Sequence, residues 1–316
     1  MLGACRTAAP PTGQTEALAV AWPRVAVVVL NWNGLADTVR CLESLFQVSY
    51  PDYYVIVVDN GSANDEAGAL QRRFGDRIVL IANDRNYGFT GGCNIGAARA
   101  LELGCDYLLL LNNDTVVAPD FLEELVKAAE ALPDAAALCP KVYFLDWPDI
   151  IYSAGGEVNL WLGRSRQVGR GQPEWGQFDR LRPCDYADGC CMLIPRRAWE
   201  AVGPLDDDYF TYWEETDWCF RARERGLRCY YVPTARIWHK AARSVDPDPR
   251  FYYFFRRNAI LFLRKRGKPY HLATALAYHY LVLAPWFLLR HPRRWRRAFA
   301  EARALLFHLR RRPAGG

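Results

Sequence analysis

The sequence predicts an α/β protein built on a mostly parallel, Rossmann-like sheet with helices on both faces. Three observations predict it. Short β-branched runs alternate with helical patterns from Val25 to Leu132, the order that gives parallel strands and right-handed crossovers. The β runs are continuously apolar rather than alternating, as strands covered on both faces are. Polar clusters follow the runs directly, at the carboxyl ends where open α/β sheets hold their ligands.

Taken in order, Val25–Leu30 reads as the first strand and Thr38–Phe46 as a helix. Tyr54–Val58 is a second strand ending at Asp59, and Leu70–Phe74 lies on a helix. Ile78–Ile81 is a third strand, followed by a helix over Gly92–Leu103 that Gly104 closes. Tyr107–Leu111 is a fourth strand running into Asn112-Asn113-Asp114, and Phe121–Leu132 is again helical. Residues 145–185, rich in Gly, Pro and Trp, predict short strands and loops over the sheet edge. Cys190–Ile194 resumes as a strand, Arg197–Val202 is a short helix, and Trp218–Arg225 is a helix stopped by Gly226. Arg228–Val232 is a strand, and Ile237–His239 opens a polar segment.

With 316 residues, 51% hydrophobic and 14% aromatic, the chain is neither disordered nor dependent on disulfide or metal staples. Its net charge of +5 is unevenly divided. Residues 251–316 carry 15 Lys and Arg against one acid, Glu301, a balance of +14. The preceding 250 residues hold 25 bases and 34 acids, a balance of −9. This predicts a loose leader over 1–23, an acidic body over 24–250 and a basic, aromatic tail over 251–316 that meets an anionic surface. The ten cysteines show no CxxC spacing and no paired His, so they predict no zinc site. Without an apolar run of export-signal length at the N-terminus, a reducing, cytoplasmic setting follows.

Several residues carry candidate chemistry. Asp59, at the end of an apolar strand, can accept the N3–H of uracil or thymine; it can equally be the turn-forming Asp before Asn60-Gly61. Asp114, after Asn112-Asn113, can hold a hard divalent cation on a diphosphate, or can simply close a strand-to-loop turn. Trp213-Glu214-Glu215-Thr216-Asp217-Trp218 places three acids in four positions at a helix start, where acids commonly serve the helix dipole. Its aromatic surroundings (Tyr209, Phe210, Tyr212) would instead desolvate the carboxylates and raise their pKa toward that of a general base. The glycine-rich loop Asn83–Gly96 opens a helix whose amides can bind an anion, though it matches neither GxGxxG nor the GK[ST] phosphate loop. His239 offers a further ligand to a metal site that would otherwise rest on one Asp.

In combination these segments resemble the family-2 glycosyltransferases, especially the bacterial rhamnosyltransferase-like branch. The resemblance runs from Val25 to Asn258 through VVVLNWNG (Val27–Gly34), VVDNGS (Val57–Ser62), NYGFTGGCNIG (Asn86–Gly96), LLLNNDT (Leu109–Thr115) and DGCCMLIPR (Asp188–Arg196). It continues through Gly203–Gly226, the Trp238-His239 pair and Arg257-Asn258. The resemblance implies a GT-A fold with a nucleotide-binding half and an acceptor-binding half. It implies that Asn31, Asn33, Asp59, Asn86, Gly88, Asn94, Asn113 and Asp114 serve the nucleotide-sugar. Asp114, the last position of the family's DxD motif, would hold Mg2+ or Mn2+ together with His239. Glu215 would be the catalytic base, with Glu214 and Asp217 in the same acidic segment, and Asp188, Gly189 and Trp213 would face the acceptor. Asn112 stands where the family's motif has its first acid, and Glu214-Glu215 replaces the usual Glu-Asp pair. The implied reaction is inverting transfer of a hexose such as rhamnose, from a UDP- or dTDP-sugar to a glycan or lipid-linked acceptor in cell-surface polysaccharide synthesis.

In the tail, Pro269 through Leu289 carry no formally charged side chain over 21 positions, with bases on both sides. A crossing helix normally has its positive excess on one side. The pattern predicts a helix or helical hairpin among the headgroups of the cytoplasmic membrane face, with one span as the alternative. Nucleic acid is not expected as a partner, because the long uncharged centre would have no role on it. Two other classes compete with the enzyme. A catalytically silent nucleotide-sugar or glycan-binding protein is suggested by the weakened DxD motif. A dinucleotide oxidoreductase would need GxGxxG near the first strand, where the chain has Asn-Trp-Asn-Gly instead.

Overall fold

The computed structural model describes residues 22–240, 249–290 and 295–310. The leader expected over 1–23 therefore lies outside the described residues except for Trp22 and Pro23, as do Arg293, Arg294, Arg311 and Arg312 of the basic tail.

The four apolar runs form parallel strands β1 (Val25–Asn31), β2 (Tyr53–Asp59), β3 (Ile78–Ala82) and β4 (Tyr107–Asn112), in the order β3-β2-β1-β4. Val25 through Val29 are at most 1% exposed, which is why the run needs no polar alternation. On one face α1 (Leu35–Leu45) and α2 (Glu66–Phe74) bury Leu42, Leu45 and Leu70 against Val25, Val27 and Val57. On the other, α3 (Gly88–Glu102) buries Cys93, Ala97 and Ala100 against Val28, Ile56 and Val58. Small residues allow the close approach of α3: a Cβ on Gly96 would come within 2.3 Å of Val28 Cγ1.

The second half continues the same ten-stranded sheet. After β5 (Thr115–Val117) and α4 (Phe121–Ala131) come β6 (Ala135–Phe144), β7 (Trp147–Ser153), β8 (Gly156–Asn159), β9 (Arg164–Gln167) and β10 (Arg182–Cys184). They are followed by β11 (Cys191–Pro195), α5 (Arg196–Val202), α6 (Glu214–Glu224) and β12 (Arg228–His239). From β4 the order runs β11-β6-β12-β10; β11 is antiparallel to β4 and β6, whereas β6 and β12 are parallel. As expected for 145–185, β7 runs along β6 and β8 pairs with β9 in a separate hairpin. Three features depart from the expectation. β6 carries no strand signal, being Ala-rich and holding Pro140, yet tertiary burial makes it a strand. α6 begins at Glu214 rather than Trp218, and β12 runs on through the segment expected to be polar, up to His239.

The C-terminal segment is helical. α7 (Pro249–Arg266) packs Ala259, Leu261, Phe262 and Leu263 against Tyr209, Trp213 and Phe220 of the body, forming a third core. α8 (Pro269–Ala277), a π-helical turn (Tyr278–Leu283) and α9 (Ala284–Arg290) make one helix of 22 residues, long and apolar enough to cross a membrane. Most of it is exposed, Leu281 at 75% and Leu289 at 84%. α10 (Trp295–Arg310) lies along α7.

Candidate functional site

Parallel pairing aligns the strand ends that carry the polar residues: Asn31 is in register with Asp59 across β1 and β2. Asn31 donates through Nδ2 to Asp59 Oδ2 (2.6 Å) and Glu66 Oε2 (2.9 Å), and its Oδ1 accepts from Thr38 Oγ1 (2.6 Å). Asp59 also accepts from the Ser62 amide (3.1 Å) and hydroxyl (2.7 Å). Asn33, with φ 51°, accepts from the Ala63 amide (2.8 Å) and fixes the facing loop. The outcome is a pre-set cup at the carboxyl ends of β1 and β2, with Trp32 at its rim, 49% exposed. Thr38, Ser62 and Glu66 complete the cup although nothing in the sequence singles them out; their types are ordinary at helix starts and turns.

The chain then turns at Asn112-Asn113-Asp114 between β4 and β5. Asn113 Nδ2 donates to Thr38 Oγ1 (2.8 Å), joining this turn to the cup. The pairing of β5 with the end of β12 sets His239 beside Thr115, which brings His239 Nε2 to 3.0 Å from Asp114 Oδ1. Burial raises the Asp114 carboxyl pKa, but the hydrogen bond and charge of His239 outweigh it and hold the group below its ordinary value. Among the described residues no cluster of three or more His, Cys, Asp and Glu side chains could hold a metal ion. The donors present nevertheless fit a hard divalent cation that draws further oxygens from a bound diphosphate. Asp114 and His239 meet directly, while His239 Nδ1 and Asn112 Oδ1 are buried without hydrogen-bond partners.

The acidic segment opens α6 and follows a strained loop. Phe210, Tyr212 and Trp213 have φ of 66°, 68° and 75°, in the left-handed region that bulky residues avoid. α7 holds them there. Asn258 Nδ2 donates to the carbonyls of Tyr209 (2.8 Å), Thr211 (2.7 Å) and Tyr212 (2.7 Å), and the Arg257 guanidinium to those of Asp208 and Tyr209, both 2.6 Å. Arg257 and Asn258 are visible in the sequence only as a motif; their work is to fix this loop. The loop turns the acids toward Asp188-Gly189, where a Cβ on Gly189 would lie 3.4 Å from Glu215 Cγ. Glycine thus leaves room beside the carboxylate. Burial, then the negative charge of Asp188, raises the Glu215 pKa from 4.5 to about 7. Burial and the neighbouring Glu215 push Glu214 well above its ordinary value, and its Oε2 is buried without a partner. Asp188 Oδ1 accepts from the Cys190 amide (3.2 Å), while Oδ2 is unpartnered.

Other expected site residues have different duties. Asp217 is fully buried, bound by Tyr209 Oη (3.1 Å), Arg221 Nε (3.1 Å) and Arg266 Nε (2.8 Å), so it docks α6 on α7 and is closed to substrate. The Trp213 side chain is 2% exposed and packs on Phe262 at 5.1 Å; it belongs to the core, not the acceptor face. Asn94 bonds the Leu205 carbonyl and amide (both 2.9 Å) and Asp207 (3.0 Å), which commits its amide to the loop after α5. Asn86 Oδ1 accepts from the Gly88 amide (2.7 Å) and Asn60 Nδ2 (3.0 Å), shaping the start of α3. Gly88 has φ 77°, and a Cβ there would meet the Phe210 carbonyl at 2.4 Å. Asn94 and Gly88 thus join α3 to the loop that presents the acids, whereas Asn86 stays tied to Asn60, next to Asp59 at the end of β2.

The model for glycosyl transferase family 2 matches residues 26–201, more than half of the chain. The chain belongs to this family. Among family-2 relatives, the low-salt glycan biosynthesis hexosyltransferase Agl10 of Haloferax volcanii is 26% identical over 204 residues, 64% of this chain and 62% of Agl10. An N-acetylglucosaminyl-diphospho-decaprenol L-rhamnosyltransferase of Mycobacterium tuberculosis is 26% identical over 243 residues, 71% of this chain and 78% of that protein. The fold is that of the solved GalNAc-T7 with UDP, GalNAc and Mn2+ (TM-score 0.60, 16% identity, 77% of this chain and 48% of that one). It is also that of the mannosyltransferase PcManGT from Pyrobaculum calidifontis with GDP-Man and Mn2+ (TM-score 0.58, 17% identity, 94% of this chain and 77% of that one). The fold is therefore GT-A, and a divalent metal accompanies it in those structures.

Proposed function

We propose that this family-2 glycosyltransferase is an inverting, divalent-metal-dependent hexosyltransferase that takes its sugar, rhamnose or another hexose, from a UDP- or dTDP-donor. The observation that carries the reading is Glu215, whose carboxylate faces Asp188-Gly189 with its pKa near the working pH, where a general base is most effective. Asp59, steadied by Asn31 and Ser62, receives the N3–H of the pyrimidine base. Asp114 and His239 hold the cation, which when bound neutralises the departing diphosphate. Glu215 then takes the proton of the acceptor hydroxyl as that oxygen attacks the anomeric carbon from the face opposite the diphosphate. Burial and the charge of Glu215 raise the Glu214 pKa, which disfavours a second negative charge beside the base. In Glu215→Gln, transfer should fall about 10³-fold, the loss expected of a general base. Nucleotide-sugar affinity measured by calorimetry should stay within about twofold, and transfer within tenfold of the unsubstituted enzyme would remove Glu215 from this role.

A lipid-linked acceptor at the cytoplasmic face of the membrane suits the C-terminal helices. The midpoint of the apolar helix is tied to α10, with His279 Nε2 3.0 Å from Glu301 Oε2, and α10 lies on α7, which is seated in the body. A helix so tethered lies in the headgroup plane rather than across the bilayer, with Leu281, Trp286 and Leu289 facing the acyl chains. The cysteines in the described residues are unpaired, in keeping with a reducing compartment.

A further inference from the structure

Arg256, on the same turn of α7 as the Arg257-Asn258 clamp, has an unusual environment. Its Nε is buried and has no hydrogen-bond partner. The side chain as a whole is only half-buried, but a buried polar atom without a partner costs desolvation that nothing offsets. The carboxylate whose charge reaches it is Glu301, and both Glu301 oxygens are engaged, one by Arg297 Nε and one by His279 Nε2, each at 3.0 Å. Arg297 and Arg164 add like charge. Among the charges that reach Arg256, three guanidinium groups including its own stand against one carboxylate, so the local balance is positive.

This charge lies beside an open groove. Gly163 and Arg256 line one small cavity with Ala275 and His279 of the apolar helix, and the adjacent Arg164 lines a cleft of 710 Å³ between the β8–β9 hairpin and α8. The hairpin is fixed on that helix by the Thr274 hydroxyl, which donates to the Trp161 carbonyl (2.9 Å), and by stacking of Trp161 on Tyr270 at 5.3 Å. Acids on the rim are already neutralised, Glu157 by Arg166 (2.6 Å) and Asp185 by Arg223 (2.8 Å).

We propose that Arg256 and Arg164 form a binding subsite for the diphosphate of a lipid-linked acceptor, whose hydrocarbon chain leaves along the exposed apolar helix. The proposal rests on the acceptor class given above. Two adjacent phosphates supply the missing negative charge, and guanidinium groups match phosphate oxygens in charge and fork geometry. The position links grip to chemistry, since the helical turn that would hold the diphosphate also fixes, through Arg257 and Asn258, the loop that aims Glu215.

The test measures binding of farnesyl diphosphate, presented in phosphatidylglycerol vesicles and without donor, to the full chain and to Arg256→Gln and Arg164→Gln. The diphosphate-dependent part of the affinity should fall tenfold or more in each variant, while affinity for vesicles lacking the diphosphate stays within twofold. Undiminished diphosphate affinity in both variants overturns the subsite. An equal loss on plain vesicles also overturns it and assigns the arginines to phospholipid headgroups. If Arg256→Gln does not fold, the exposed Arg164 carries the same test. Wild-type binding of the diphosphate without sugar transfer to any lipid-linked acceptor would remove the proposed acceptor and leave the subsite standing.

Discussion

The two halves of the sheet hold their polar residues in opposite ways. At the ends of β1 and β2 the groups satisfy one another: the Asn31 amide bridges Asp59 and Glu66, and the hydroxyls of Thr38 and Ser62 close the network. At the start of α6 the groups are left wanting. Glu214 Oε2, Asp188 Oδ2 and Trp213 Nε1 are buried without partners, and three aromatic residues hold left-handed backbone. A saturated network is fixed before any ligand arrives, which fits the nucleotide recognition proposed for it. Unsatisfied carboxylates suit proton transfer, because desolvation brings their pKa toward neutrality. The strain persists only because Asn258 and Arg257 over-determine the loop from outside.

Breaking each half separately should produce different symptoms. The largest effect after loss of Glu215 belongs to the proposed metal position between the halves. Asp114→Ala should lower kcat/KM by about 100-fold or more, several kcal/mol of charge stabilisation, and abolish stimulation by Mn2+ in a transfer assay. Retained metal stimulation would mean that the cation is held elsewhere. In the strained half, Asn258→Ala takes the side-chain donor from the Thr211 and Tyr212 carbonyls and leaves the Tyr209 carbonyl to Arg257 and the Thr211 amide. At about 1 kcal/mol or more per unmet buried group, thermal denaturation should show a Tm about 5–10 °C lower. kcat should fall about tenfold while donor KM holds, and an unchanged kcat in the folded variant would separate the clamp from the acids. In the saturated half the pattern reverses. Asp59→Asn removes one charge-assisted bond, so donor KM should rise about tenfold with kcat changed less than threefold.

Legibility in the sequence follows the same division. The donor half is readable from local pattern, since continuous apolar runs mark strands buried on both faces and the residues after them fall at the strand ends. Asn31, Asp59 and Asp114 are visible for that reason. β6 is not, because Ala135–Ala137 and Pro140 give no strand signal and only burial between β11 and β12 makes them one. Nor is the division of labour within the acidic segment. Glu215 and Asp217 are two residues apart, and only the positions of Arg221 and Arg266 show that Asp217 is neutralised while Glu215 is not. Asn94 and Trp213 are misplaced by the sequence for the same cause: residue type and motif say that a side chain matters, while the tertiary partner decides what it does.

The smallest effect is the most diagnostic, because it separates a reactive carboxylate from a merely strained one. Glu215 has its pKa raised by burial and by Asp188, from 4.5 to about 7. Between those values the folded protein keeps a proton that the unfolded chain has released, so the folded state binds more protons and stability falls as pH rises. The fall should be complete above pH 7, with a total of about 1–3 kcal/mol. Glu215→Gln cannot titrate, so its stability should fall less steeply, keeping only the share that the raised Glu214 contributes, and exceed that of the unsubstituted protein at pH 8, while its activity is lost. The kcat/KM of the unsubstituted enzyme should rise over the same interval in which its stability declines, as the base becomes ionised. Opposed pH trends in one protein, the activity trend removed and the stability slope reduced by a single substitution, would tie the cost of the buried carboxylate to its use. Parallel trends, or an undiminished stability slope in Glu215→Gln, would move the titration to Glu214 and make Glu215 a bystander.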